Sequence, residues 1–118
     1  MMLLIVDDNA AMRRLIRRLI GDLTARIEEC TNGAAALSAY ETHHFGAEDW
    51  VLMDIELPDL DGISVTRQLC ARHPEARVLI VTKYDDDELR RRAFADGACG
   101  FIRKDNLLEL RAVLHPEA

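Results

Sequence analysis

A chain of 118 residues with 49% hydrophobic and 31% charged side chains has the size of one compact domain built on a single core, which leaves no room for a second folded domain. Its 15 basic and 21 acidic residues give a net charge of −6, so the basic excess of a nucleic-acid-binding domain is missing and no direct contact with DNA is expected. The longest apolar runs have only strand length, which points to a cytoplasmic protein without signal peptide or membrane insertion.

Five short β-rich runs alternate with five helical ones, the signature of an α/β fold in which crossover helices join a parallel sheet, (βα)5. The first run, Leu3-Leu4-Ile5-Val6, is continuously apolar, as a strand buried on both faces requires, and it stops at Asp7-Asp8. From Ala10 onward Met12, Leu15, Ile16, Leu19 and Ile20 follow one helical stripe. Arg13, Arg14, Arg17 and Arg18 are assigned to a solvated opposite face, and Gly21 to the helix stop. Alternation of apolar and charged residues over 25–30 predicts an edge strand, and the alanine-rich segment 33–40 predicts a second helix.

The third strand lies in 51-VLMDIELPDLDG-62, and Asp61-Gly62 then opens a helix carrying Ile63, Val65, Thr66, Leu69 and Cys70. His73-Pro74 closes that helix, because a residue before proline avoids the helical region. Residues 77–82 form the fourth strand and 85–96 a helix with acids in its first turn, as the helix dipole favours, and Gly97 at its end. A fifth strand covers 99–103. A short last helix covers 106–114, with Leu107, Leu110, Val113 and Leu114 turned inward and His115-Pro116 as its limit. Cys30, Cys70 and Cys99 sit in apolar segments without CxxC spacing and read as core thiols. The histidines His43, His44, His73 and His115 show no zinc-ligand spacing and receive no function.

The third run raises a physical question, since it delivers Asp54 at the mouth of a buried strand, where a carboxylate is costly unless something uses it. In an open doubly wound sheet, chemistry gathers at the carboxyl ends of the strands. Those ends carry Asp7-Asp8, Asp54, Thr82 and, after Phe101-Ile102-Arg103, Lys104, so three acids, a hydroxyl and an amine share one face. Three carboxylates at close quarters raise one another's pKa, and a divalent cation relieves this. Mg2+, or Mn2+ in its place, takes oxygen ligands and keeps positions open for a phosphoryl oxygen. Asp7 and Asp8 would hold it, with Asp54 as a third ligand.

Carboxylates also form aspartyl-phosphates as nucleophiles, in a transfer that needs mainly positioning and charge neutralisation. Lys104 and Thr82 would bind the oxygens of the transferred group, while Pro58 and Gly62 shape the loop after Asp54 so that it clears the pocket. Each residue also has an ordinary explanation. Asp7-Asp8 can cap the first helix, a job for which Asn9 competes, Thr82 can be a plain strand end and Lys104 a surface amine.

Four segments in this order and at these distances, LLIVDDN, MDIELPDLDG, VLIVT and GFIRK, give the chain its likeness to a known family. Over essentially its whole length, 1–118, it resembles the receiver domain of bacterial two-component response regulators, of the chemotaxis-regulator kind. The resemblance implies a five-stranded parallel sheet in the flavodoxin-like strand order 2-1-3-4-5. It places Asp7 and Asp8 in the metal-binding acidic pair, Asp54 at the phosphoacceptor position, Glu56 as a metal ligand through its carbonyl, and Lys104 as the family's lysine. Thr82 and Phe101 take the places of its switch residues.

A histidine kinase or histidine phosphotransfer protein would donate to Asp54 with Mg2+, and the domain would catalyse its own dephosphorylation. The phosphoryl group would draw in Thr82 and Lys104 and let Phe101 turn inward. The face made by the fourth helix, fifth strand and fifth helix would then meet a downstream protein, an attached output domain or a second copy. Some of Arg90, Arg91, Arg92 and Arg103 would pair with acids across that interface.

Three features depart from the family pattern. Lys83 follows Thr82 where a small residue is usual, Asp105 follows Lys104 where many receivers carry proline, so that no cis-proline switch is expected, and the last helix is short. Such a short helix implies either a reduced docking face or a fragment of a longer regulator. Glu56 and Tyr84, which line the pocket in the family, would with Lys83 set the phosphoryl lifetime. The rival readings are an interaction module that works without phosphorylation and a small aspartyl-phosphate phosphohydrolase, to which Asp54-Ile55-Glu56 is similar but which needs a cap domain and a second aspartate. A flavin binder would need small and hydroxyl residues where the first loop has acids.

Overall fold

In the computed structural model, which describes residues 1–115, the continuously apolar runs lie at the centre of a parallel sheet and the mixed run at its edge. The strands β1 (Met2–Val6), β2 (Arg26–Cys30), β3 (Trp50–Met53), β4 (Val78–Thr82) and β5 (Gly100–Arg103) pair in the order β2-β1-β3-β4-β5, each pair parallel. This is the expected flavodoxin-like 2-1-3-4-5 arrangement. Because side chains alternate across a strand, each strand feeds two core layers. Leu4, Val6, Val51, Met53, Val78 and Ile80 pack against α2 (Gly33–Thr42), α3 (Gly62–Arg72) and α4 (Asp87–Ala95). On the other face, Leu3, Ile5, Leu52, Leu79 and Val81 pack against α1 (Ala10–Ile20) and α5 (Glu109–Leu114). Burying one such side chain contributes about 1.5–3 kcal/mol, whereas an exposed ion pair contributes under about 1 kcal/mol. The apolar strands therefore hold the frame, and the charged helix faces decorate it.

Capping residues set where the helices begin. Asn9 settles the competition at α1, its side-chain oxygen accepting the Met12 N–H at 3.1 Å, while Asp7 accepts the Asn9 N–H at 2.8 Å. Asp61 caps α3 and Asp86 caps α4, so the fourth helix begins at Asp87 and not at residue 85. Gly97, at φ 111°, ends that helix in a conformation that side chains resist.

Several expectations need correction. The first helix does end where expected, with Gly21 as its C-cap, but a 3-10 turn over Gly21–Leu23 follows it. The last helix is split into a 3-10 turn over Lys104–Asn106 and a six-residue α5, with Leu107, Leu110 and Leu114 buried and Val113 partly so. The expected stop at Pro116 lies outside the described residues.

Within α1, Leu15 is 40% exposed, while Arg13, assigned to the solvated face, is half-buried. The helical period explains this, since Arg13 stands three residues before Ile16 and seven before Ile20, on the buried stripe. Its guanidinium donates to Glu29 and to the Asp7 carbonyl, both at 2.7 Å, and Arg17 shares the same glutamate. Cys30 is buried as a core thiol, Cys70 is half-buried, and Cys99, which precedes the edge strand β5, is exposed.

The turn after β3 folds back tightly, with Glu56 bridged to Asp61 and the Gly62 N–H donating to the Ile55 carbonyl at 2.8 Å. A Cβ at Gly62 would lie 1.9 Å from the Asp54 carbonyl oxygen, whereas one at Gly21, with φ −58°, would meet nothing within 4 Å. Gly62→Ala is accordingly expected to lower the unfolding free energy by about 2–3 kcal/mol by forcing the loop away from β3. Gly21→Ala is expected to raise it by about 0.5 kcal/mol through the unfolded chain. Urea denaturation of both variants beside the parent protein measures the contrast.

Candidate functional site

The register that aligns Val6 with Met53 places the next residue of each strand side by side. Asp54 donates its N–H to the Val6 carbonyl at 3.0 Å, and Asp7 donates its own to the Cys30 carbonyl at 3.1 Å, so both main chains are locked to a neighbouring strand. Their side chains end up buried, Asp7 2% and Asp54 7% exposed, beside an exposed Asp8. One carboxylate oxygen from each of Asp7, Asp8 and Asp54 lies within 4.8 Å of the others.

From the end of β5 the Lys104 ammonium reaches across to Asp7 Oδ2 at 2.9 Å and Asp54 Oδ2 at 3.0 Å. Burial pushes the Asp54 carboxyl above its ordinary value of 3.8. The Lys104 hydrogen bond and charge oppose this, and the Asp7 charge adds to it. Burial alone would lower the Lys104 ammonium, but its bonds to the two carboxylates outweigh burial and hold it above 10.5.

The donor set suits a hard divalent cation: three carboxylates converge, and the buried pair already draws a positive group between them. A cleft of about 290 Å³, lined by Asp8, Asn9, Met12, Asp54, Glu56, Lys83 and Lys104, opens this cluster to solvent. Glu56 stands at its mouth and pairs with Lys83 at 3.5 Å, and the Lys83 ammonium lies 5.5 Å from the centre of the Tyr84 ring.

Thr82 ends β4 fully buried, its hydroxyl accepting the Tyr84 N–H at 3.3 Å. Among the described residues no hydrogen bond joins that hydroxyl to Asp54 or Lys104. Phe101 is half-buried on β5, with the Arg90 guanidinium 5.6 Å from its ring centre and 5.4 Å from that of Phe94. Arg90 and Phe101 line a groove of about 370 Å³ with Arg103, Asp105, Asn106 and Glu109. Of the four arginines among which some were expected to meet acids across an interface, two have acidic partners within the chain. Arg103 binds Asp85 and Asp105, and Arg92 reaches Asp61 at 3.6 Å, all within the chain.

Sequence reasoning missed three supports of the site. Arg13 and Glu29 brace the Asp7 main chain, and the helical phase of Arg13 was the available signal. Asp59 accepts N–H groups from Gly33, Ala34 and Leu60, tying the loop after Asp54 to the start of α2. Nothing local announces that bond, whose partners lie 25 and 26 residues away.

Residues 3–115 match the response regulator receiver domain, and the chain belongs to that family. It is 32% identical over 101 residues to the chemotaxis protein CheY of Halobacterium salinarum, covering 86% of this chain and 82% of that one. It is 28% identical over 103 residues to the transcriptional regulatory protein DegU of Brevibacillus brevis; that match covers 87% of this chain but only 43% of DegU, so the chain spans less than half of that relative. A crystal structure of a response regulator protein from Burkholderia pseudomallei, with a phosphorylated aspartic acid, calcium ion and citrate, is similar with a TM-score of 0.83 at 25% identity. That likeness covers 97% of this chain and 66% of the other.

The raised Asp54 carboxyl has a consequence for stability. The folded protein holds this proton more tightly than the unfolded chain, so the group leaves stability unchanged below 3.8 and lowers it as pH rises from 3.8 through its raised folded value. Asp54→Asn is expected to raise the thermal midpoint on the high-pH side of this window, with the gain narrowing as pH falls toward 3.8 and vanishing below it; thermal unfolding of both proteins between pH 3 and 7 measures it.

Proposed function

We propose that this receiver is a phosphorylation switch in which Asp54 accepts a phosphoryl group from a histidine kinase or a histidine phosphotransfer protein. The observation that carries the reading is a buried carboxylate held by one ammonium and reached through a cleft lined with acids and a second amine. Such a group is partly stripped of water and fixed in direction, which suits in-line attack on phosphorus. The phosphorylated aspartic acid and calcium ion of the Burkholderia pseudomallei structure support the same chemistry in a similar chain.

Asp7, Asp8 and Asp54 would hold Mg2+ or Mn2+ together with the Glu56 carbonyl that the resemblance assigns, and the bound ion supplies positive charge against the repulsion between acid and phosphoryl oxygens. An Asp54 oxygen attacks phosphorus while the bond to the donor nitrogen breaks. Lys104 then exchanges its contact with Asp54 for a phosphoryl oxygen and keeps Asp7. The Thr82 hydroxyl, which now only accepts from Tyr84, turns to donate to another oxygen.

That turn leaves space toward which Phe101 moves, and the Arg90 contact to its ring breaks or follows. The face of α4, β5 and α5 changes accordingly and meets a downstream protein, an attached output domain or a second copy. Water later hydrolyses the acyl phosphate, with Glu56, Lys83 and Tyr84 at the mouth setting the lifetime. The setting is the cytoplasm; among the described residues no helix is long and apolar enough to cross a membrane.

Incubation with acetyl phosphate and Mg2+ is expected to add the mass of one phosphoryl group. The gain should be absent in Asp54→Asn and after chelation of the metal, with intact-mass spectrometry as the readout. A folded protein that binds Mg2+ and gains nothing would overturn the reading in favour of an interaction module, marked by unchanged partner binding in Asp54→Asn.

A further inference from the structure

We infer that Lys83 is a second phosphoryl-oxygen site at the mouth of the cleft, held in reserve by Glu56 and handed to the anion when one enters. The two cations of the cleft stand in different circumstances. Lys104 is clamped between two buried carboxylates at 2.9 and 3.0 Å, so losing it would leave like charges facing each other out of water. Lys83 sits on a flexible stem, 66% exposed, and its one carboxylate partner among the described residues is Glu56, itself 53% exposed, at 3.5 Å. An exposed pair of this kind is weak and screened by salt, so its ammonium exchanges partners readily.

The charge balance of the cleft leaves an entering anion in need of a mobile cation. Asp7, Asp8, Asp54 and Glu56 outnumber Lys83 and Lys104, so an entering phosphate dianion meets net negative charge. Lys83 is the cation that can turn toward it without uncovering a buried acid. Seated over the anion, the ammonium and its stem also stand between the phosphoryl group and solvent. Glu56 competes with the anion for the same ammonium, so it acts against binding although it lines the same cleft. The anion site stands on this geometry alone; its use in phosphoryl transfer rests on Asp54 being the acceptor.

The competition predicts opposite signs for the two partners, which separates an anion site from a simple staple between the loops after β3 and β4. Inorganic phosphate is titrated into the 15N-labelled protein with Mg2+ present, following the amide signals of Lys83 and Tyr84. Lys83→Ala is expected to weaken binding about fivefold, the effect of one unit charge at about 4 Å in water. Lys83→Arg should preserve it and Glu56→Gln should tighten it, and all differences should vanish near 1 M salt, where the screening length is about 3 Å. Equal affinity in Lys83→Ala and the parent protein, or a loss in Glu56→Gln matching that in Lys83→Ala, would overturn the site.

Mass gain from acetyl phosphate on the same samples keeps the two readings apart. A gain without any dependence of phosphate affinity on Lys83 removes this site and leaves Asp54 as the acceptor. Phosphate affinity that follows Lys83 without a mass gain keeps the anion site and removes the acceptor.

Discussion

Two buried carboxylates share one ammonium at the centre of this fold, and the strands, loops and caps around them are arranged to hold that contact. Asp7 and Asp54 are neighbours because β1 and β3 are hydrogen-bonded in register, and Lys104 must reach them from β5, on the far side of β4. Burying such a triad brings no clear stability, since desolvation offsets most of the Coulomb gain and well-packed apolar residues often serve a fold as well or better. The arrangement makes physical sense as a charge balance kept close to tipping. The Asp54 carboxyl is already raised by burial, and its one counter-charge is shared with Asp7.

The scaffold around this balance is stiff where the acids sit and loose where the solvent enters. The strands beneath are buried throughout β3 and β4, and the turn beyond Asp54 is fastened at three points: Gly62 against the main chain of β3, Asp59 onto the start of α2, and Asp61 as the cap of α3 with Arg92 beyond it. Arg13 and Glu29 brace Asp7 from the opposite side. At the mouth, the Lys83 and Glu56 side chains share one exposed ion pair, with the Lys83 ammonium also beside the Tyr84 ring. A charge change on the floor therefore cannot be absorbed by the floor, and in the proposed switch it passes to the parts that can move: the Thr82 hydroxyl, Phe101 and the arginine resting on its ring.

Arg90 contacts both Phe94 and Phe101, so one cation joins the outer surface of α4 to the aromatic of β5. Arg103 and Arg92, by contrast, are neutralised within the chain by Asp85, Asp105 and Asp61. The groove between Phe101 and Glu109 is thus less basic than its count of arginines suggests, and a partner meeting this face would find mixed charge around a partly covered aromatic ring.

Features that arise between neighbours along the chain were readable from the residues alone. Continuous apolar runs made β1, β3 and β4 legible, alternation marked β2 as the edge, and an aspartate before a helical stripe announced α3. The gathering of Asp7, Asp8, Asp54 and Lys104 was legible too, because parallel strands bring their carboxyl ends to one side whatever their order. Which long side chain met which emerged with the folded chain. Lys104 bridges Asp7 and Asp54, Lys83 takes Glu56, Asp59 caps a helix far upstream, and Cys99 is left outside the core. Local pattern carries the period of a helix or strand, but the partner of a flexible charged side chain depends on how elements distant in sequence pack. Only Arg13, betrayed by its helical phase, lay within reach of a closer reading.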